Sequence, residues 1–207
     1  MATAGLLLAA GAGRRFGMPK ALLSYRGRPL VEHAAAILTA AGCRPVVVVL
    51  GAQAELVRAS TRLPGVVLND DWTTGMGSSL RAGLSALTSG TAVAAVVTLV
   101  DMPGLTPEAV RRVARDAAAD SLTVATYQDS RRGHPVLLGR HHWAGVAAAA
   151  TGDRGARDYL RAQGDAVRLV PCADVADDTD VDLPEQAARF GLFGVTADAR
   201  HAGPGLE

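Results

Sequence analysis

Short, continuous apolar runs alternate along most of the chain with longer segments whose apolar positions recur every three to four residues. Ala4 to Ala10 reads as a first strand, Pro29 to Ala41 as a helix with Gly42 at its end, and Pro45 to Leu50 as a second strand. Residues 52–62 read as helical, Gly65 to Asn69 as extended, Ser78 to Thr88 as helical and Val93 to Val100 as a fully buried central strand. Unbroken apolar strands imply burial on both faces, and strands separated by helices imply right-handed crossovers. The expected fold class is therefore α/β, a Rossmann-like three-layer sandwich with a mostly parallel sheet. With no internal repeat and no evident linker, residues 1–195 are expected to form a single domain and 196–207 a flexible tail.

Composition narrows the class. The chain has 207 residues, 49% of them hydrophobic and 20% charged, enough for one well-buried core. Aromatic residues make up only 4%, so Ala, Val and Leu must fill that core. A net charge of +1 argues against a nucleic-acid-binding face. Cys43 and Cys172 are too few for a disulfide scaffold or a cysteine metal cluster and read as small buried hydrophobes. Ala92 to Val100 is too short to span a bilayer, and the amino terminus lacks the pattern of a signal peptide, so a cytoplasmic, membrane-free protein is expected.

Residues 6–23, LLLAAGAGRRFGMPKALL, carry the densest chemistry. Gly11, Gly13 and Gly17 let the backbone turn its N–H groups into one concavity, which attracts anions. Arg14, Arg15 and Lys20 add positive charge, and no acidic residue precedes Glu32. The dinucleotide fingerprint fails, because the glycine spacing is G-x-G-x-x-x-G with Pro19 where a helix should begin. A Walker A loop also fails, because Ala21 follows Lys20. What remains is a loop suited to a small polyanion.

Further along, Gly75 and Gly77 make a turn, and Ser78 and Ser79 stand where a helix begins, one of them a natural N-cap. The run AVAAVVTLV ends in Asp101-Met102-Pro103, which places a carboxylate over the crevice where open α/β sheets bind ligands. Asp101 beside a polyphosphate calls for an intervening divalent cation, with magnesium favoured by hard oxygen ligands. His134 reads either as an acid–base group or as a loop histidine. Adjacent His141 and His142 diverge on a helix and read as surface residues. Asp153 reads first as the cap of a helix running to Gln163. Residues 174–186 hold six acids and no base, the usual sign of a solvated loop.

LAAGAGRRFGMPK resembles the L-A-A-G-x-x-x-R-x-G-x-x-K signature of nucleotidyltransferases of the molybdenum cofactor class, MobA-like enzymes, and above all their cytidylyltransferase branch. GMGSSLRAG, the DMP motif, GHPVL, GDRGAR and DVDLPE follow in the order expected of that family, so the resemblance spans roughly residues 4–190. It implies the fold of nucleotide-diphospho-sugar transferases. It places Leu8, Ala9, Ala10, Gly11, Gly13, Arg14 and Lys20 around a nucleoside triphosphate, with Arg14 and Lys20 on its phosphates. Gly77, Ser78 and Ser79 are carried over beside base and ribose. Asp101 and Asp182 become ligands of Mg²⁺, with Asp180 in support, while Arg14, Lys20 and Asp101 carry catalysis. His134 and Asp153 fall on the acceptor side. Leu183 departs from the family's Thr.

The activity so implied moves CMP from CTP to the terminal phosphate of molybdenum-bearing molybdopterin and releases pyrophosphate. The guanylyl enzymes usually read L-A-G-G, so Ala10 points to cytosine. A molybdoenzyme receiving the product is a further partner the resemblance allows. Relatives with the same motifs include nucleotidyltransferases with other phosphorylated acceptors and NAD(P)H-dependent reductases of a quinone-like pigment, which would need neither aspartate as a metal ligand. A non-catalytic nucleotide-binding or cofactor-delivering module is a third possibility.

Overall fold

The computed structural model describes residues 2–193; the expected tail at 196–207 lies outside the described residues. The chain runs β1 (Thr3–Ala9), β2 (Ser24–Tyr25), β3 (Arg28–Pro29), α1 (Leu30–Ala40), β4 (Val46–Leu50), α2 (Ala54–Ser60), β5 (Val66–Leu68), α3 (Met76–Leu87) and β6 (Ala94–Leu99). It continues through α4 (Pro107–Ala114), β7 (Leu122–Thr126), β8 (Arg132–Gly139), α5 (Trp143–Ala149), α6 (Arg157–Ala162), β9 (Val167–Pro171), α7 (Pro184–Arg189) and β10 (Leu192–Phe193). Seven strands form one sheet in the order β5-β4-β1-β6-β8-β7-β9, and β10, β2 and β3 form a small second sheet.

The α/β sandwich expected from the apolar pattern is present. β1 lies between β4 and β6 and is parallel to both, with Leu8 opposite Val49 on one side and Leu99 on the other. Successive residues of a strand face opposite sides of the sheet. Leu7 and Ala9 therefore join a core with Leu30, Leu38, Val110 and Val113 from α1 and α4. Leu6 and Leu8 join the opposite core with Leu80 and Leu84 of α3 and Trp143 and Val146 of α5. This arrangement covers both faces and explains why the central strands carry no polar alternation. Helix α1 closes through the bonds Gly42 N–H to Thr39 O (3.0 Å) and Cys43 N–H to Leu38 O (3.1 Å), which satisfy carbonyls left over by the last turn. Both cysteines are buried. Burial pushes the Cys43 thiol up to about 11, as for an inert core residue.

One strand departs from the rule of strands separated by helices. β8 is antiparallel to both β6 and β7. No helical crossover separates β7 from β8, only the turn at 127–131, and so short a connection can join only antiparallel strands. This reversal brings the amino-terminal end of β8, with His134, to the rim where β1 and β6 end. Among the described residues no helix is long and apolar enough to cross a membrane.

Candidate active site

β1 and β6 deliver two different groups to one rim. After β1 the chain enters the glycine loop, in which Gly13 has φ 58° and Phe16 N–H donates to Gly13 O at 2.8 Å. Gly11, Ala12, Gly13, Arg14 and Lys20 line a cavity of about 420 Å³ together with Leu8, Ala10, Trp72, Ser79, Asp101 and Asp153. Arg14 and Arg15 are exposed and, among the described residues, make no ion pair. Their charge is free for a ligand.

After β6 comes Asp101. Its Oδ2 accepts a hydrogen bond from Lys20 Nζ at 2.8 Å, and the same ammonium reaches Asp182 Oδ1 at 2.6 Å. Asp182 is brought there by main-chain bonds: Val181 N–H donates to Asp101 O (2.8 Å) and Asp177 N–H to Gly104 O (3.1 Å). Gln186 Oε1 then accepts from the N–H groups of Asp182 and Leu183, both at 2.8 Å, and fixes the entry to α7. Leu183 occupies the N-cap position and has no side-chain acceptor of its own, so Gln186 carries the capping alone.

Burial opposes the charge on Lys20, but Asp101 and Asp182 outweigh it and hold the ammonium above the ordinary lysine value. The Lys20 hydrogen bond in turn holds Asp182 below the usual carboxylate range. Asp101 Oδ1 is buried and, among the described residues, has no hydrogen-bond partner. An orphaned carboxylate oxygen is costly unless a cation completes it, so the donor set fits a divalent metal. Among the described residues no three His, Cys, Asp or Glu side chains converge on one point. Two carboxylates would leave the remaining positions of a hard divalent cation to water or ligand oxygens. Asp180 makes no bond to Lys20 and lines a second, neighbouring cavity instead.

Other expected positions play different parts. Ala9 faces the core shared with α1 and α4 and lines neither cavity. Gly77 lies against the main chain of Ala150 and Thr151, where a Cβ would come within 2.8 Å of the Ala150 carbonyl carbon. The single hydroxyl proton of Ser78 is shared between the carbonyls of Gly75 (2.8 Å) and Asp71 (3.0 Å). The structure thus uses Gly77 and Ser78 to seat α3, while Ser79 reaches the first cavity. Buried Asn69, which the sequence did not single out, donates to both Ser78 Oγ (2.8 Å) and Ser79 Oγ (3.0 Å) and accepts from Asp71 N–H (3.1 Å). We predict that Asn69→Ala costs about 2 kcal/mol of stability, since buried partners are left unpaired. Urea unfolding will check it, and a loss below about 0.5 kcal/mol would mean that this network does not hold the turn.

Asp153 requires a correction. Its Oδ1 accepts from Met76 N–H at 3.2 Å, so it sits at the start of α3 and not at the start of α6, whose N-cap is Ala156. His134 also differs from a loop histidine, since it lies within β8 with Nδ1 3.1 Å from the Val97 carbonyl. A carbonyl can only accept, so Nδ1 carries the proton and Nε2 of the neutral ring keeps its lone pair. Burial pushes the ring's pKa down, opposed by the bond to Val97. His142 is half-buried, bonded to Tyr159 Oη (2.9 Å) and the Asp120 carbonyl (3.0 Å), and does not converge with His141 on a metal.

His134 and Asp153 line the second cavity, of about 620 Å³, which shares Leu8, Met76 and Leu99 with the first. Its floor is aliphatic, with Leu80, Val97, Val124, Val136, Leu138 and Leu160, and its rim carries Arg131, Arg132, Arg154, Arg157 and Arg161. The resemblance already points Arg154 to the acceptor side and sets Arg131 and Arg132 beside His134, but the sequence does not join them with Arg157 and Arg161 into one rim. Its arginines are dispersed over the turn before β8, β8 itself, the turn before α6, and α6.

Residues 5–167 match the family described as the MobA-like NTP transferase domain. The chain belongs to that family. It is 44% identical over 195 residues to the nicotine blue oxidoreductase of Paenarthrobacter nicotinovorans, covering 90% of this chain and 95% of that protein. Over half of each chain it is 36% identical to a "Probable molybdenum cofactor guanylyltransferase" of Opitutus terrae. The crystal structure of Rv0371c from Mycobacterium tuberculosis superposes with a TM-score of 0.79 at 28% identity, covering 91% of this chain and 97% of that one. The same protein has also been solved as a manganese complex, with a TM-score of 0.76 at 27% identity and coverage of 92% of this chain and 98% of that one.

Proposed function

We propose that the chain is a Mg²⁺-dependent cytidylyltransferase of the cytoplasm, acting as one domain over residues 1–195. It moves CMP from CTP to the terminal phosphate of molybdenum-bearing molybdopterin, for delivery to a molybdoenzyme. The observation that carries this reading is the buried, unpartnered Oδ1 of Asp101 beside Lys20, Asp182 and the glycine loop. Arg14 and Lys20 hold the β- and γ-phosphates. Asp101 and Asp182 would hold Mg²⁺, which would supply charge neutralisation at the nucleotide's phosphates. An oxygen of the acceptor phosphate forms the new bond to the α-phosphorus as the bond to the bridging oxygen breaks, and pyrophosphate leaves with that electron pair. No protein nucleophile takes part, so positioning and charge neutralisation supply the rate. The manganese complex of Rv0371c supports a divalent ion in this family. Ala10 in the cavity wall, set between Leu8 and Gly11, supports cytosine. The acceptor belongs in the second cavity, where apolar walls face its body, arginines face its charge, and His134 Nε2 can accept a hydrogen bond.

A second reading is favoured by the 44% identity to nicotine blue oxidoreductase along nearly its whole length. The same cavities would then hold a reduced nicotinamide dinucleotide and an extended pigment, with hydride passing from the one to the other. Calorimetric titration with CTP, GTP, ATP and NADPH, each with and without Mg²⁺, separates the two. Magnesium-dependent binding of CTP, followed by pyrophosphate release in the presence of molybdenum cofactor, is the expected result. Metal-independent binding of NADPH alone would overturn the transferase reading.

A further inference from the structure

The residues that the proposed function assigns to the metal are already bridged by a cation of the chain's own. Lys20 Nζ lies 2.8 Å from Asp101 Oδ2 and 2.6 Å from Asp182 Oδ1, and its side chain is only 16% exposed. The three groups come from distant parts of the sequence, 81 and 162 positions from Lys20, and main-chain bonds hold the two carboxyl-bearing segments together without the lysine. The lysine is therefore not needed to assemble the carboxylates. It acts as their counter-charge, and an incomplete one: one ammonium faces two carboxylates, and Asp101 Oδ1 still lacks a donor.

Two cations cannot both take the full attraction of the same pair of anions at contact distance without repelling each other. Yet Lys20 also lines the glycine-loop cavity, beside Gly11, Gly13 and Arg14, so its ammonium has a second set of anions within reach once phosphates occupy that cavity. We propose that Lys20 is an internal counter-cation exchanged on ligand binding: a divalent metal takes over Asp101 and Asp182, the freed ammonium turns to the nucleotide's phosphates, and metal and nucleotide thereby bind with positive coupling. This rests on the metal role given above to the two aspartates. Because coupling is reciprocal, nucleotide must raise metal affinity by the same factor as metal raises nucleotide affinity.

The test is direct Mn²⁺ binding to the full chain without nucleotide, read by calorimetry and by the free Mn²⁺ signal in electron paramagnetic resonance. Lys20→Met keeps the aliphatic stem and removes the competitor, and is expected to bind Mn²⁺ about tenfold more tightly than the unaltered chain. Asp182→Asn removes a ligand and is expected to bind it more weakly. Opposite signs distinguish exchange from general damage, which would weaken both. With CTP added, the unaltered chain is expected to show about tenfold more coupling between Mn²⁺ and CTP than Lys20→Met, which keeps only the direct attraction of metal for phosphate. Equal or weaker Mn²⁺ binding by Lys20→Met, including undetectable binding in both proteins, overturns the proposal even if transfer activity is found. Tighter binding sustains it even if the acceptor or the nucleotide proves to be another.

Discussion

Asp101→Asn is expected to lower kcat for pyrophosphate release about a thousandfold while leaving the chain folded. Losing a metal ligand at the reacting phosphates removes several kcal/mol of charge stabilisation, and each 1.36 kcal/mol is about a factor of ten in rate. The amide keeps the carboxylate's shape, and its oxygen can still face Lys20. The main-chain oxygen of Asp101, which anchors Val181 N–H at 2.8 Å, is untouched. Because Oδ1 accepts no hydrogen bond, no protein donor loses its partner there. The stability cost is then that of weakening one partly exposed ion pair, about 1 kcal/mol or less. Single-turnover kinetics at saturating CTP and Mg²⁺, with thermal unfolding alongside, check both halves. Turnover within tenfold of the unaltered chain would remove Asp101 from the chemistry and leave charge neutralisation to other groups of the site.

The elements that build the first cavity are legible in the sequence because their signals are local. Continuous apolar runs mark β1 and β6, and the glycines and cations at 11–20 announce a loop for an anion. Asp101 is legible from its place at the end of a central strand. Asp182 is not, since an acidic run reads as a solvated loop. Only the family resemblance singles it out, and the bond between Val181 N–H and Asp101 O explains how the segment reaches the rim. The partner of Asp153 was missed for a similar reason. Capping is judged from neighbours in sequence, whereas the N–H it accepts belongs to Met76, 77 positions away. The second cavity is harder still. Val97 belongs to β6, Val124 to β7, Val136 to β8 and Leu160 to α6, and each of these side chains alone reads as ordinary core. That β8 is antiparallel is what gathers them, and a short turn between two apolar runs was the one available sign.

The glycine loop offers a comparison in which geometry separates folding from binding. Gly13→Ala is expected to weaken CTP binding at least about a hundredfold and to destabilise the chain by about 3 kcal/mol. At φ 58° an L side chain costs about 1–2 kcal/mol. Its Cβ would also stand 2.0 Å from the Met18 carbonyl oxygen and 2.9 Å from Lys20 N, so the backbone leading to Lys20 must shift. Gly17 has a similar φ of 67°, but a Cβ there meets nothing within 4 Å. Gly17→Ala should therefore cost only the backbone term, about 1–2 kcal/mol, with CTP affinity falling less than about tenfold. Gly11 is the converse: it has no positive φ, its Cβ would meet nothing, and it lines the cavity. Gly11→Ala is expected to leave stability unchanged and to weaken CTP binding, because the methyl group stands where a phosphate must approach the main chain. Calorimetric titration and urea unfolding of the three variants test this order. If Gly13→Ala and Gly17→Ala lose CTP affinity equally, the loop's left-handed turns alone matter, and the close packing of Gly13 on Met18 is not what aims Lys20 at the nucleotide.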